Sequence, residues 1–272
     1  MFEIIKSIIL GIVEGISEWL PISSTGHMIL VNEFLRNEGT FTASDLYLYV
    51  IQLGAILAVV TLYFNKLNPF SKKKSPTEKN ETWQMWFKVI IACIPAAVIG
   101  LCLNDFMENF ENWQVVSAML ILYGIAFILV EGLKKKENVN EMSQMTYKTA
   151  LLIGLFQILS IIPGTSRSGS TILGAMILGC SRSIASEFSF FLAIPVMFGV
   201  SFLKIVTYEG AISSNDIIVL ITGMVVAYIV SMLSIKFLMN YIRKHNFKSF
   251  GYYRIVLGLL VIAYFSLTTF IL

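Results

Sequence analysis

Six stretches of this chain run for most of a helix without a charged residue: 46–65, 89–104 (approached from Trp86), 112–130, 188–203, 217–235 and 255–272. A bilayer span needs about 20 mostly apolar residues, and a charge near its middle costs about 2.5–3.5 kcal/mol on insertion scales. Runs this clean read as six membrane spans. Composition agrees: of 272 residues, 56% are hydrophobic and 14% charged, where a soluble domain has about a quarter charged. Too few charges remain to cover a water-facing surface. That excludes a soluble enzyme, a nucleic-acid binder and a disordered chain. Trp83, Trp86 and Trp113 stand at run ends, where an interfacial aromatic belt belongs. Cys93, Cys102 and Cys180 are odd in number and lie in apolar segments, so they read as small buried hydrophobes rather than a disulfide framework. The apolar stretch 4–13 contains Lys6 and runs into Glu14 and Glu18, which argues against a cleavable signal.

Two further apolar segments are punctuated. Residues 1–37 read as a helix to about Ser17, a break over 19–25 and a second short helix. Residues 149–180 read as a helix over 149–161, a break over 163–168 and a helix over 169–179. Each half is short for a span, so each pair fits a re-entrant hairpin that enters and leaves on one side. Irregular backbone at membrane depth is tolerated only where it is buried in protein or lines a wet cavity. The hairpins resemble each other: GIVEGISEWLPISSTGHMIL from Gly11 lies beside GLFQILSIIPGTSRSGSTIL from Gly154, with Pro21 over Pro163, Ser24 over Ser166 and Gly26 over Gly169. Each is followed by three spans. The expected fold is an all-α polytopic membrane protein, one membrane domain over 1–272. Its two inverted repeats cover about 1–131 and 147–272, each a re-entrant hairpin plus three spans. Such repeats place their site near the midplane, where broken helices meet.

Charge placement orients this arrangement. Loops 65–85, 131–148 and 236–254 share one side and carry 14 Lys and Arg, Arg254 among them. Loops 104–112 and 206–216 carry Asp105, Glu108, Glu111, Glu209 and Asp216 and neither Lys nor Arg. The basic side is expected to be cytoplasmic, with both termini outside.

The polar residues at membrane depth have no packing reason to be there. Glu14 and Glu18 share one helix face and repel unless a cation, proton or donor lies between them. In PISSTGH, Pro21 stops the first helix, Ser23, Ser24 or Thr25 can cap the second, and His27 is one turn from Ser24. A serine beside a histidine is the minimal activated nucleophile. In PGTSRSGST, glycines free backbone N–H groups, a helix start near Gly169 adds its positive end, and Arg167 supplies a permanently charged fork suited to phosphate. Ser166, Ser168 and Thr171 add donors, and Ser23 does so from the first break. The stretch 164–171 also reads G-x-x-x-x-G-S-T, but the lysine of a nucleotide-binding P-loop is Ser170 here and no strand–loop–helix unit surrounds it. One break thus offers carboxylates, serines and an imidazole, and the other offers an arginine and phosphate donors. A lipid diphosphate suits this set.

At these two motifs, Glu14-Gly-Ile-Ser-Glu18 leading into 21–27 and the segment 163–171, the chain resembles the bacitracin-resistance family of undecaprenyl-diphosphate phosphatases over essentially its full length. The resemblance implies hydrolysis of undecaprenyl diphosphate to the monophosphate in the bacterial cell membrane, at a site open to the outer face. It also implies dependence on a divalent cation, magnesium or calcium, and competition by bacitracin for the substrate. Within that expectation Ser24 attacks phosphorus with His27 or Glu18 taking its proton, and His27 or an activated water remain open as the nucleophile. Arg167, Ser166, Ser168, Thr171 and Ser23 hold phosphate, and Glu14 and Glu18 hold the metal. A homodimer is left open. Two rivals stand beside this reading. A polyprenyl-phosphate transporter or flippase would want the same anion site. An acid-phosphatase-like lipid phosphatase would need a second catalytic histidine, and His245 lies in the basic loop 243–248.

Overall fold

The computed structural model describes residues 2–37, 39–108, 110, 112–133 and 137–271. Glu111, Lys134, Lys135 and Lys136, on which part of the expected orientation rests, lie outside the described residues, as do the side chains of Asp105 and Glu108. The described residues are helical apart from turns and one isolated bridge between Val139 and Cys180. The first half contains α1 (Phe2–Ser17), α2 (Ser24–Phe34), α3 (Asp45–Leu62), the single turn α4 (Phe64–Leu67), α5 (Pro76–Glu108) and α6 (Trp113–Gly132). The second contains α7 (Tyr147–Ile158), α8 (Arg167–Ile177), α9 (Arg182–Val206), α10 (Ser214–Ile242) and α11 (Lys248–Ile271). Among the described residues, α3, α5, α6, α9, α10 and α11 are the six helices long and apolar enough to cross a membrane. The chain is an all-α, multi-pass membrane protein.

Local chemistry sets the helix starts. Ser44, Asn112 and Thr146 each accept a backbone N–H from three residues on, and Ser213 and Asp216 form a reciprocal capping box. The basic segments are more helical than the charge pattern suggests. Pro76 opens α5, where its missing N–H costs nothing. Ser75 just before it and Glu78 in its first turn cap each other at 2.7 and 3.3 Å. α10 and α11 likewise extend into 236–254. Arg254 is therefore not a loop residue: it sits inside α11 and is fully buried.

Both broken segments return to the end of the bundle they start from. Glu3 at the start of α1 accepts a hydrogen bond from Thr42 at 3.0 Å, and Lys6 donates to the Arg36 carbonyl just beyond α2 at 3.5 Å. In the second half, Asn138 and Val139 before α7 donate to Gly179 just after α8. Ion pairs tie span ends to these two poles. At one, Lys204 at the end of α9 meets Asp45 at the start of α3 at 2.6 Å. At the other, Glu131 at the end of α6 accepts from Arg182 at the start of α9 (2.8 and 2.6 Å) and from the Phe247 amide before α11 (2.9 Å). At that same pole Lys66 meets Glu187 at 2.8 Å.

Packing is matched across the halves. α1 seats on α10 and α7 on α5, and each approach is close enough to need glycine. A Cβ on Gly11 would lie 2.8 Å from the Gly223 carbonyl oxygen, and one on Gly154 would strike the Ala92 carbonyl. α3 lies between α9 and α10, and α6 lies along α11. Outward faces such as Leu122, Leu129, Ile229, Leu233, Leu259 and Leu260 are exposed and apolar, as lipid requires. The interior is apolar too, so the buried polar groups stand out.

Candidate active site

The two breaks use one backbone device. Ser23 (φ 74°, ψ 104°) and Ser166 (φ 75°, ψ 122°) both sit in the left-handed half of conformational space, and each side chain accepts the N–H of a glycine three residues on, Gly26 or Gly169. Such backbone costs about 1–3 kcal/mol in a residue with a Cβ and persists only where surroundings over-determine it. The structure corrects the expected pairing of Ser24 with Ser166. Ser23 is the counterpart, so Gly11 and Gly154, Glu14 and Gln157, Ser23 and Ser166, and Gly26 and Gly169 all stand 143 residues apart. It also starts α8 at Arg167 rather than near Gly169, which makes Arg167 the first helical residue.

The breaks meet at Glu18. Its Oε1 accepts from Arg167 Nη2 at 2.8 Å and its Oε2 from the Ser24 hydroxyl at 3.1 Å. Glu18 and Arg167 are both largely buried. Arg167 also donates through Nη1 to the Ser189 carbonyl at 2.8 Å and lies over the Trp19 ring, while its Nε has no partner. Glu14, one turn before Glu18 and within its field and that of Arg167, is buried with Oε1 unpartnered. A buried carboxyl oxygen without a donor is costly, so Glu14 is a residue that could hold a cation. Among the described residues no three His, Cys, Asp or Glu gather as a closed metal site, so a cation here would need ligands beyond the two glutamates.

His27 takes a different position from the one its spacing suggests. Its Nδ1 lies 2.7 Å from the Ser23 carbonyl oxygen, which can only accept, so Nδ1 carries the proton. Its Nε2 lies 2.7 Å from the Tyr253 hydroxyl. In the neutral ring Nε2 therefore accepts from Tyr253, and both nitrogens are occupied away from Ser24. The base within reach of Ser24 is Glu18.

The remaining hydroxyls split between site and scaffold. Ser166 is half-buried at the start of α8, 3.2 Å from the Ser168 hydroxyl. Ser168 donates to the Glu18 carbonyl at 3.0 Å and so laces the second break to the first. Thr171 bonds the Arg167 carbonyl at 3.0 Å and the Ser189 hydroxyl at 2.7 Å, fixing α8 to α9. Ser23 is fully buried as a cap. His245 stacks on Tyr241 at the opposite pole.

Three residues that sequence reasoning passed over also belong here: Ser189, Tyr253 and Arg254. Arg254 donates to the carbonyls of Pro21 (3.3 Å), Gly164 (3.0 Å) and Thr165 (3.0 Å) in the two breaks, and to Met119 and Leu120 of α6 (both 3.4 Å). A signal for it existed. Gly251, Arg254 and Gly258 fall on one face of α11, and both glycines touch α6 backbone. Arg254 must therefore point inward with them.

Residues 7–260 match the family described as bacitracin resistance protein BacA. The chain is 56% identical over 267 residues to an undecaprenyl-diphosphatase of Enterococcus faecalis, covering 95% of this chain and 96% of the relative. It is 55% identical over 275 residues to one from Desulfitobacterium hafniense (100% and 99% covered), and 54% identical over 273 residues to one from Lactiplantibacillus plantarum (98% and 99%). A match that runs through both breaks at this identity leaves one conclusion: the chain belongs to the bacitracin resistance protein BacA family.

Proposed function

We propose that this chain is a membrane diphosphatase that removes the terminal phosphate of undecaprenyl diphosphate, releasing phosphate and the monophosphate carrier used in cell-wall synthesis. The observation that carries the chemistry is the Glu18 carboxylate shared between Ser24 of one break and Arg167 of the other. Nucleophile, base and anion binder are thereby within one hydrogen-bonded unit.

In this reading the substrate's terminal phosphate takes the Arg167 fork, helped by the unpartnered Nε, the Ser166 hydroxyl and the N–H groups at the start of α8. Glu18 Oε2, already hydrogen-bonded to the Ser24 hydroxyl, is the acceptor for its proton. Ser24 Oγ attacks phosphorus, its proton passes to Glu18, and the bond to the bridging oxygen breaks as Glu18 hands that proton on to the departing undecaprenyl phosphate. That leaves undecaprenyl phosphate and a phosphoserine. Water then attacks the phosphoserine, giving a proton to Glu18; the phosphorus–oxygen bond to Ser24 breaks, Glu18 returns the proton to the Ser24 oxygen, and inorganic phosphate is released. Ser168, Thr171 and Ser189 hold this arrangement, and His27 fixes the Ser23 carbonyl and so the turn carrying Ser24. Glu14 and Glu18 would hold a divalent cation, magnesium or calcium, the diphosphate supplying further oxygens. When bound it would neutralise diphosphate charge, which is most of what phosphoryl transfer asks of a protein.

The reading extends to topology. Two inverted repeats, with both termini outside and the site open to the outer face, are supported by the matched packing of α1 on α10 and α7 on α5. The return of each hairpin to its own pole and the concentration of lysine and arginine at one of them support it too. Purified protein in detergent, which has no second compartment, is expected to release phosphate from undecaprenyl diphosphate and to stop when a chelator is added. Substrate binding without phosphate release would instead support a carrier.

A further inference from the structure

Arg254 is a permanent cation with no exposure to solvent, and among the described residues no carboxylate touches it. Taking such a charge out of water costs several kcal/mol. Its compensation is five carbonyl oxygens, and the choice of carbonyls is specific. Pro21 and Gly164 are 143 residues apart, the same separation that relates Ser23 to Ser166 and Gly26 to Gly169. One guanidinium from α11 therefore grips the equivalent peptide of both breaks, through Nη1 on one and Nη2 on the other.

The opposite edges of those peptides are fixed as well. The Ile22 amide donates to Leu20 at 2.7 Å, and the Thr165 amide donates to Ile162 at 3.2 Å. Each peptide plane is thus pinned on both sides, one residue ahead of the strained serine. Arg254 takes the Thr165 carbonyl too. C=O and N–H point opposite ways in a trans peptide, so this turns the Ser166 amide away from Arg254 at the opening of α8. Gly169 makes room: a Cβ there would lie 3.2 Å from Arg254 Nη1 and 3.2 Å from the Ser166 Cβ.

We propose that Arg254 is a positioning residue that holds the two breaks in mutual register, and through them sets the Ser24–Glu18–Arg167 geometry. It acts through the peptides it grips, not by touching substrate. This role rests on the diphosphatase reading, so the test has one arm that reads activity and one that does not. R254K keeps the charge but loses the fork, and one ammonium cannot reach three segments at once.

The first arm measures phosphate release from undecaprenyl diphosphate by folded R254K, G169A and the double variant. R254K is expected to lose about 100-fold in kcat, with KM within about threefold of wild type and helical content unchanged. G169A, which crowds Nη1 and also the Ser166 cap, is expected to lose about tenfold, and the double variant to lose less than the product of the two single losses because they share the Nη1 contact. If R254K is not recovered folded, the exchange arm on G169A decides, because a change confined to residues 162–168 would place its effect on Ser166 and not on Arg254. The second arm follows amide hydrogen exchange, which is expected to rise in residues 18–24 and 162–168 together in the altered protein. A kcat near wild type in the variants, losses that multiply in the double variant, or faster exchange in one break only would each overturn the proposal. Wild-type protein that releases no phosphate would refute the diphosphatase reading, and the exchange arm would still decide the role of Arg254.

Discussion

Ser23 and Ser166 adopt nearly the same left-handed backbone, cap a glycine three residues on and open helices of 11 residues each, yet their surroundings diverge. At matched positions the first break has Glu14, Glu18, Ser24 and His27, and the second has Gln157, Ile161, Arg167 and Ser170. One half carries two carboxyl groups, a serine and an imidazole, the other the arginine. The contrast teaches that the repeated part is the scaffold and the divergent part is the chemistry. Neither hairpin holds a site until Glu18 reaches across to Arg167, and a single arginine outside both breaks grips their matching peptides.

This comparison can be broken at its acidic half first. Glu18→Gln removes both the proton acceptor of Ser24 and the partner of Arg167, and a loss of about 10³-fold in the rate of phosphate release is expected. Glu14→Gln makes the first break resemble the second, where Gln157 stands. The expected outcome is a rise of about tenfold in the magnesium concentration giving half-maximal release. An unchanged magnesium dependence would remove Glu14 from the metal site.

His27→Gln tests whether the imidazole moves protons or supports the turn. With both nitrogens held by Ser23 and Tyr253, a loss of about tenfold is expected, where removal of the general base would cost about 10²–10⁴-fold. The smallest effect tests the shared backbone. Alanine at Ser166 loses the cap and keeps the strain, whereas glycine loses the cap and relieves it. S166G should therefore be more stable than S166A by about 1–2 kcal/mol in thermal or denaturant unfolding. The same order is expected for S23G over S23A. Opposite orders in the two breaks would contradict their equivalence.

What the sequence disclosed follows what membrane physics makes costly. Charges are expensive inside a bilayer, so six clean runs mark six spans. Pro21 and the glycines near 164–169 mark the breaks, and Glu18 and Arg167 stand out because apolar neighbours give them no other reason to be there. Less legible was anything decided by chain segments far apart. Tyr253 meets His27 across 226 residues. Helical spacing places His27 near Ser24, but the carbonyl of Ser23 and the Tyr253 hydroxyl outcompete that contact. A positive φ at a serine has no residue signature, so whether Ser23 or Ser24 matches Ser166 was decided only by the backbone. Arg254 was hidden by company: it follows a run of basic residues and precedes a charge-free span, which reads as an interfacial loop until Gly251 and Gly258 place it on the face packed against α6.

The central claim is that the two breaks make one hydrolytic site, with the anion binder on one and the nucleophile on the other. Its most direct test is phosphate release from undecaprenyl diphosphate in detergent by wild type and Arg167→Ala, compared at equal amounts of folded protein. The account predicts steady release by the wild type and a loss of about 10³-fold in the variant. Equal rates in the two proteins, or no release by the wild type, would contradict it.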